Sequence, residues 1–242
     1  MSLHPPPARS PLSAWREVAG GLDAPERLRE RVASQPPAPE VALTLARHGE
    51  TTTNAAGLIT GTTDAPLTVT GRLQAQESGR ALAGCVFDIG FASQLRRSSE
   101  TLELMIRAGG LVLPETEVDA RLAERSLGEL ERTPIRPRDP RLAYDLTLAP
   151  TGGESYVALA RRCLAFLLDL RELAARLRRS PAVLVCTSTG PMRVVTAILD
   201  ECHDPVALRE RRFANGEIVQ RPLGELAWPV FAGGLPSIEG PP

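Results

Sequence analysis

No lysine occurs in the 242 residues of this chain; all 28 basic side chains are arginine. That absence excludes chemistry built on a lysine amine: Schiff bases, a pyridoxal linkage and the phosphate-binding lysine of a P-loop. Aromatic residues are scarce, at 4%, and no stretch interleaves arginine with aromatics. With a formal net charge of -1, this argues against a nucleic-acid partner. Four cysteines show no CxxC spacing. Cys85 and Cys186 read as core or near-core residues, Cys163 as helical and Cys202 as a loop residue, so reduced thiols in a cytoplasmic protein are expected. No apolar run reaches the length of a membrane span and the N-terminus lacks a signal-peptide core, so no membrane partner is expected. No ligand cluster is visible, and no metal or cofactor is expected.

What is present fits one α/β domain with extensions. Residues 1–40 carry prolines at both ends, among them Pro5, Pro6, Pro7, Pro36, Pro37 and Pro39. Between them the charged stretch 25–32 is predicted to form a short helix. The extension as a whole reads as mobile or loosely docked, the alternative being a partner-binding arm or a site lid. Residues 41–232 read as the folded domain and 233–242 as a C-terminal tail. From residue 41 onward, strand and helix signals alternate. Strands are predicted at 41–46, 87–92, 111–113, 182–187 and 217–220; helices at 68–82, 96–108, 154–178 and 191–199; and a loop-rich stretch at 114–153. Such alternation implies a three-layer α/β/α sandwich around a mainly parallel sheet.

The first strand runs apolar and stops abruptly at Arg47-His48-Gly49-Glu50. In open α/β sheets a strand's C-terminal end faces the ligand crevice. There an imidazole can act as a nucleophile while a guanidinium grips phosphate oxygens bidentately. Gly49 reads as allowing a substrate close to the backbone. Arg97 opens a helix after the second strand and so lies at a similar edge, whereas the adjacent Arg96 reads as solvated. Glu124 is a loop carboxylate that could give and take a proton, or on spacing alone a surface charge. Thr151-Gly152-Gly153-Glu154-Ser155 feeds a helix N-terminus, whose free N–H groups favour anions; it is equally a plain helix start. The fourth strand ends in Thr187-Ser188-Thr189-Gly190, three hydroxyls at a helix start. Arg132, Arg136, Arg138 and Arg141 read as a solvated loop, the alternative being the wall of a basic cleft.

Taken in order, RHGETTTN (47–54), GTTDAPLTVTGRLQA (61–75), SQLRRSSET (93–101), RLAERSLGELE (121–131), TGGES (151–155) and LVCTSTGPMR (184–193) resemble the histidine phosphatase superfamily, with its phosphoglycerate mutase-like fold. The resemblance covers about residues 41–220. It implies that His48 is the nucleophile that becomes phosphohistidine, that Arg47 and Arg97 hold the phosphoryl oxygens, and that Glu124 is the general acid. It places Asn54, Thr60, Gly61, Ser188 and Thr189 in the substrate pocket. The family's usual Ser-His-Gly-Gly is Thr187-Ser188-Thr189-Gly190 here, so Ser188 stands where a second catalytic histidine is expected. His203, after the next helix, is not expected to replace it. The short, proline-punctuated stretch after Glu124 favours a phosphatase over a mutase. The implied activity is a phosphomonoesterase acting on a small phosphorylated molecule, weakened or re-tuned by Ser188. The alternatives are a catalytically silent phosphate binder and an anion pocket recruited for non-phosphatase chemistry. A homodimer is left open.

Overall fold

The computed structural model describes residues 10–20, 24–135 and 145–229. Helices α1 (Pro11–Val18) and α2 (Pro25–Ala33) precede strand β1 (Val41–Arg47). Then follow α3 (Thr52–Ala55), α4 (Val69–Ala81), β2 (Ile89–Ala92), α5 (Arg96–Gly109) and β3 (Thr116–Val118). The chain continues through α6 (Tyr156–Leu177), β4 (Ala182–Thr187), α7 (Thr189–Leu199), α8 (Pro205–Glu210) and β5 (Ile218–Leu223).

The strands form one sheet in the order β3-β2-β4-β1-β5, parallel except for the antiparallel edge strand β5. Both faces are covered, as parallel sheets require. Alternate side chains divide between two cores: Leu43, Leu45, Ile89, Phe91, Val183 and Val185 face α6 and α7. Ala46, Ala92, Leu184 and Cys186 face the opposite layer with Leu102 and Met105 of α5. The expected three-layer α/β/α sandwich with a mainly parallel sheet is the observed architecture. The α4–α5 packing is so close that a Cβ on Gly79 would collide with the Met105 carbonyl.

Two expectations are corrected. The short strand expected at 111–113 makes only a single bridge, between Val112 and Val86. The ladder forms instead at Thr116–Val118, opposite Gly90–Ala92. Pro114, which lacks an N–H, separates the two stretches, and the apolar side chains of Leu111 and Leu113 pack on the core without joining the sheet. The expected helix at 25–32 is α2, but the described part of the N-terminal extension, residues 10–20 and 24–40, is not loosely docked. Trp15 is 2% exposed and packs at a steep angle against Phe91 and Phe166, with ring centroids 4.6 and 5.5 Å away. Leu28 is fully buried. Arg31 pairs with the buried Asp169 on α6, which also accepts from Arg121 at 2.6 Å and from the Gly20 N–H at 2.9 Å. The apolar stripe of α1, Leu12, Trp15 and Val18, spans only two turns. Such a short helix gains its stability from this tertiary burial and not from propensity. Residues 1–9 and the tail 233–242 lie outside the described residues.

Candidate active site

Parallel pairing of β1 with β4 sets Arg47 opposite Thr187, and the His48 N–H donates to the Thr187 carbonyl at 2.9 Å. The residues that follow each strand, His48 and Ser188, are therefore neighbours. On the other side of β4, Ala92 pairs with Cys186, so Ser93 and the first turn of α5 bring Arg97 to the same edge. The Thr187 hydroxyl donates to Leu122 O at 2.5 Å, tying down the loop that carries Glu124. Both Glu124 carboxylate oxygens accept from the Gly190 N–H at 3.1 Å, and Oε1 also accepts from the Arg125 N–H at 2.8 Å. A Cβ at Gly190 would collide with that carboxylate. Arg47, His48, Arg97, Glu124, Ser188 and Thr189 are thus gathered at one strand end.

His48 is 3% exposed, and its Nδ1 lies 2.7 Å from the Gly49 carbonyl. A carbonyl only accepts, so Nδ1 carries the proton and the lone pair of the neutral ring is on Nε2. Burial, then the charges of Arg97 and Arg47, push its pKa well below the ordinary 6.5; the Gly49 carbonyl opposes this more weakly. The resting group is a neutral imidazole with Nε2 unprotonated.

Backbone carbonyls hold the two arginines, and among the described residues neither has a carboxylate ion pair. Arg97, fully buried, donates to Thr63 O and Gly61 O, each at 2.7 Å. Arg47 donates to Phe213 O at 2.6 Å. Burial lowers the pKa of both, while Glu124 acts to raise it. Among the described residues, five buried side-chain polar atoms have no hydrogen-bond partner, and three of them are here: Arg47 Nε, Arg97 Nε and Ser188 Oγ. Native interiors rarely leave such groups unpaired, so this concentration marks a place suited to an anion.

Asn54 and Thr60 form the adjoining wall. Asn54 Oδ1 accepts from the Thr51 N–H at 3.2 Å, Nδ2 donates to Thr60 Oγ1 at 3.3 Å, and Thr60 Oγ1 lies 2.6 Å from Thr53 Oγ1. Gly61 contributes its carbonyl to Arg97. Gly49 has a different role from the one its sequence context implies: a Cβ there would collide with the Gly71 carbonyl, so the glycine admits helix α4. The Thr151–Ser155 turn is a helix start, with Ser155 Oγ accepting from the Ala158 N–H at 3.1 Å.

Several supporting residues escape sequence reasoning. Glu131 accepts from the N–H and hydroxyl groups of both Thr62 and Thr63 and from the Leu127 N–H. These bonds outweigh burial and hold its carboxyl below the usual range. Arg162, on the buried face of α6, donates to Glu154 at 2.8 and 2.9 Å, to Arg121 O at 2.5 Å and to Glu124 O at 3.2 Å. Asn215 donates to His48 O at 3.1 Å. An arginine on an otherwise apolar helix face was a readable signal; carbonyl anchors such as Phe213 leave none. Arg96 is solvated as expected, its side chain 70% exposed. His203 is exposed. Arg136, Arg138 and Arg141 lie outside the described residues. Among the described residues no cluster of His, Cys, Asp or Glu could hold a metal ion, and no helix is long and apolar enough to cross a membrane.

Residues 43–222 match the histidine phosphatase superfamily (branch 1). The chain is 35% identical over 170 residues to a 2,3-bisphosphoglycerate-dependent phosphoglycerate mutase of Methylobacterium sp., covering 65% of this chain and 80% of the relative. The mutase of Bradyrhizobium diazoefficiens is 30% identical over 188 residues, covering 72% and 87%. Among solved structures, a mycobacterial glucosyl-3-phosphoglycerate phosphatase in complex with VO3 superposes with a TM-score of 0.65 at 26% identity, covering 74% of this chain and 90% of the other. An alpha-ribazole phosphatase from Shigella flexneri shares the fold, with a TM-score of 0.63 at 24% identity over 74% and 89% of the two chains. Mutases and phosphatases alike are neighbours, and the chain belongs to the histidine phosphatase superfamily.

Proposed function

We propose that this chain hydrolyses small phosphomonoesters through a phosphohistidine at His48. The observation that carries the reading is a neutral, buried imidazole with its proton pinned on Nδ1, set between two arginines that have no carboxylate ion pair among the described residues. His48 Nε2 attacks phosphorus and forms the N–P bond; the ester P–O bond breaks, and the departing alkoxide takes a proton from Glu124. Water then attacks the phosphohistidine, giving a proton to the Glu124 carboxylate, and inorganic phosphate leaves with His48 restored. Arg47 and Arg97 hold the phosphoryl oxygens, with charge placed before the reaction begins. Asn54, Thr60, Gly61 and Thr189 shape the pocket, and no cofactor enters the steps. Ser188, standing in for the second histidine, offers one neutral hydroxyl. Losing a preorganised donor of this kind typically costs about 10²–10³ in rate.

A phosphatase fits better than the mutase activity named for the curated relatives, because the stretch from Glu124 to Gly153 is short. A silent phosphate binder is the second reading, favoured by the loss of histidine at Ser188. The test is phosphate release from a panel of phosphorylated metabolites and a chromogenic phosphomonoester, beside a His48→Ala control. Release that vanishes with His48 supports the hydrolase. No release above the control, with inorganic phosphate still raising the melting temperature, replaces it with the binder.

A further inference from the structure

We propose that Arg162 is a positioning residue for Glu124: its buried guanidinium clamps the acid's loop to the Glu154 turn and fixes where the carboxyl meets the leaving oxygen. This rests on the hydrolase reading above. Arg162 lies on α6 and is 8% exposed. Its Nε and Nη2 grip the two Glu154 carboxylate oxygens at 2.8 and 2.9 Å. Its Nη1 donates to Arg121 O at 2.5 Å, and Nη2 also reaches Glu124 O at 3.2 Å. One planar fork therefore serves a carboxylate and two main-chain carbonyls at once, which a single ammonium nitrogen does not do.

The loop depends on such anchors. After the short turn at Ala120–Leu122, residues 123–127 form neither helix nor strand. Side chains hold the main chain instead: Thr187 Oγ1 donates to Leu122 O at 2.5 Å, and Arg162 takes the carbonyls of Arg121 and Glu124 that flank it. On the far side of the loop the Glu154 N–H donates to Ser126 O at 2.8 Å, so the residue that grips Arg162 also carries Ser126. The Glu124 carboxylate accepts from the N–H groups of Arg125 and Gly190 and has no side-chain donor among the described residues. Where its carboxylate lies therefore follows from where its backbone is held.

That placement matters because proton transfer needs heavy atoms within hydrogen-bond reach. A displacement of about 1 Å can cost about 10²-fold in rate. Arg162 touches no substrate and acts through Glu124 alone, so its loss should injure only the step in which the leaving oxygen takes a proton, and the later step in which water gives one up.

The test compares two phosphomonoesters: glycerol 3-phosphate, whose alkoxide needs a proton to leave, and 2,4-dinitrophenyl phosphate, whose phenolate does not. kcat/KM reports the steps up to the phosphohistidine, and Glu124→Gln sets the full size of the effect. In Arg162→Lys, kcat/KM for glycerol 3-phosphate should fall about tenfold or more, while that for 2,4-dinitrophenyl phosphate stays within about threefold. With the activated ester kcat and KM should fall together, because the water step still needs Glu124. Glu154→Gln, which removes the charge that grips Arg162, should give the same pattern at smaller size and is the second variant if the first does not fold. A merely structural role would lower kcat/KM for both esters alike; that result, or no loss for either, overturns the proposal. Equal losses for the two esters in Glu124→Gln would instead remove the proton donor from the hydrolase reading, and the positioning role with it.

Discussion

Arg121 and Arg97 are the same residue type, both almost wholly buried, in opposite electrostatic circumstances. Arg121 is 6% exposed and meets Asp119 at 2.7 Å and Asp169 at 2.6 Å, with the rings of Trp15 and Phe166 within 6 Å. Despite desolvation, its carboxylate partners raise its pKa. Arg97 meets two carbonyls, keeps an unpartnered Nε, and has its pKa lowered by burial. A buried charge is costly unless matched. The matched arginine joins the N-terminal helices to the core; the unmatched one, like Arg47 beside it, keeps a buried nitrogen without a hydrogen-bond partner. In a chain without lysine, the presence or absence of a carboxylate beside a buried arginine separates these two environments.

The largest expected effect lies on the unmatched side. His48→Ala should lower phosphate release by about 10⁴–10⁶-fold, the scale seen when a nucleophile is removed from a cooperating set, while the thermal transition stays within a few degrees. Residual release within tenfold of the unmodified protein would place the nucleophile elsewhere.

Next in size is a crossed pair of substitutions. Asp169→Leu leaves Arg121 and Arg31 short of a partner and should cost about 3–5 kcal/mol of stability, a melting temperature lower by about 6–20 °C in a domain of this size. Phosphate release measured well below that transition should change little. Arg47→Met should do the reverse. It removes one carbonyl hydrogen bond and a desolvated charge, leaving stability within about 1 kcal/mol, yet release should fall by about 10²–10³. If the two variants instead damaged folding and turnover alike, the division into scaffold and site would be wrong.

How much of this was legible follows from which interactions use side chains. The apolar strand broken by Arg47-His48 and the second strand running into Arg97 carry their own pattern, and the structure sets both at one sheet edge. The resemblance added Glu124 and Ser188, which spacing alone left open. Trp15 stayed hidden because two turns of helix between prolines make a weak pattern until Phe91 and Phe166 arrive from far along the chain. β3 stayed hidden because an exposed edge strand has no apolar alternation to show. The anchors of Arg47 and Arg97, the carbonyls of Gly61, Thr63 and Phe213, are backbone atoms that any residue supplies.

Ser188→His would place a second imidazole at the strand end beside His48. If the protein is a weakened phosphatase, turnover of a generic phosphomonoester should rise by up to about 10²-fold. No gain in a folded variant that still binds phosphate favours the silent binder.

Acid stability gives a smaller contrast. The folded pKa of His48 lies below the unfolded value near 6.5, so below that pH the unfolded chain takes up a proton that the folded chain refuses. Its contribution is fully present above about pH 6.5 and is lost as pH falls toward the folded pKa. Relative to His48→Gln, the unmodified protein should lose stability below pH 6.5 with a slope approaching about 1.4 kcal/mol per pH unit. No acid limb of kcat/KM near 6.5 should arise from His48. A limb centred there and assigned to the nucleophile would mean that burial and the two arginines do not depress it.

The smallest effect tests the unmatched state most directly. Ser188 Oγ is buried without a partner, so Ser188→Ala removes an unsatisfied hydroxyl and loses no hydrogen bond. A neutral bond to a phosphoryl oxygen is worth about 1 kcal/mol, so phosphate affinity should fall roughly fivefold. Stability of the free protein should hold or rise, the opposite of what deleting a paired buried group does. Calorimetry with inorganic phosphate and a thermal melt of the same sample give both signs together. A melting temperature that drops while phosphate affinity holds would mean that the hydroxyl supports the scaffold, and Ser188 would then belong with Arg121 and Asp169.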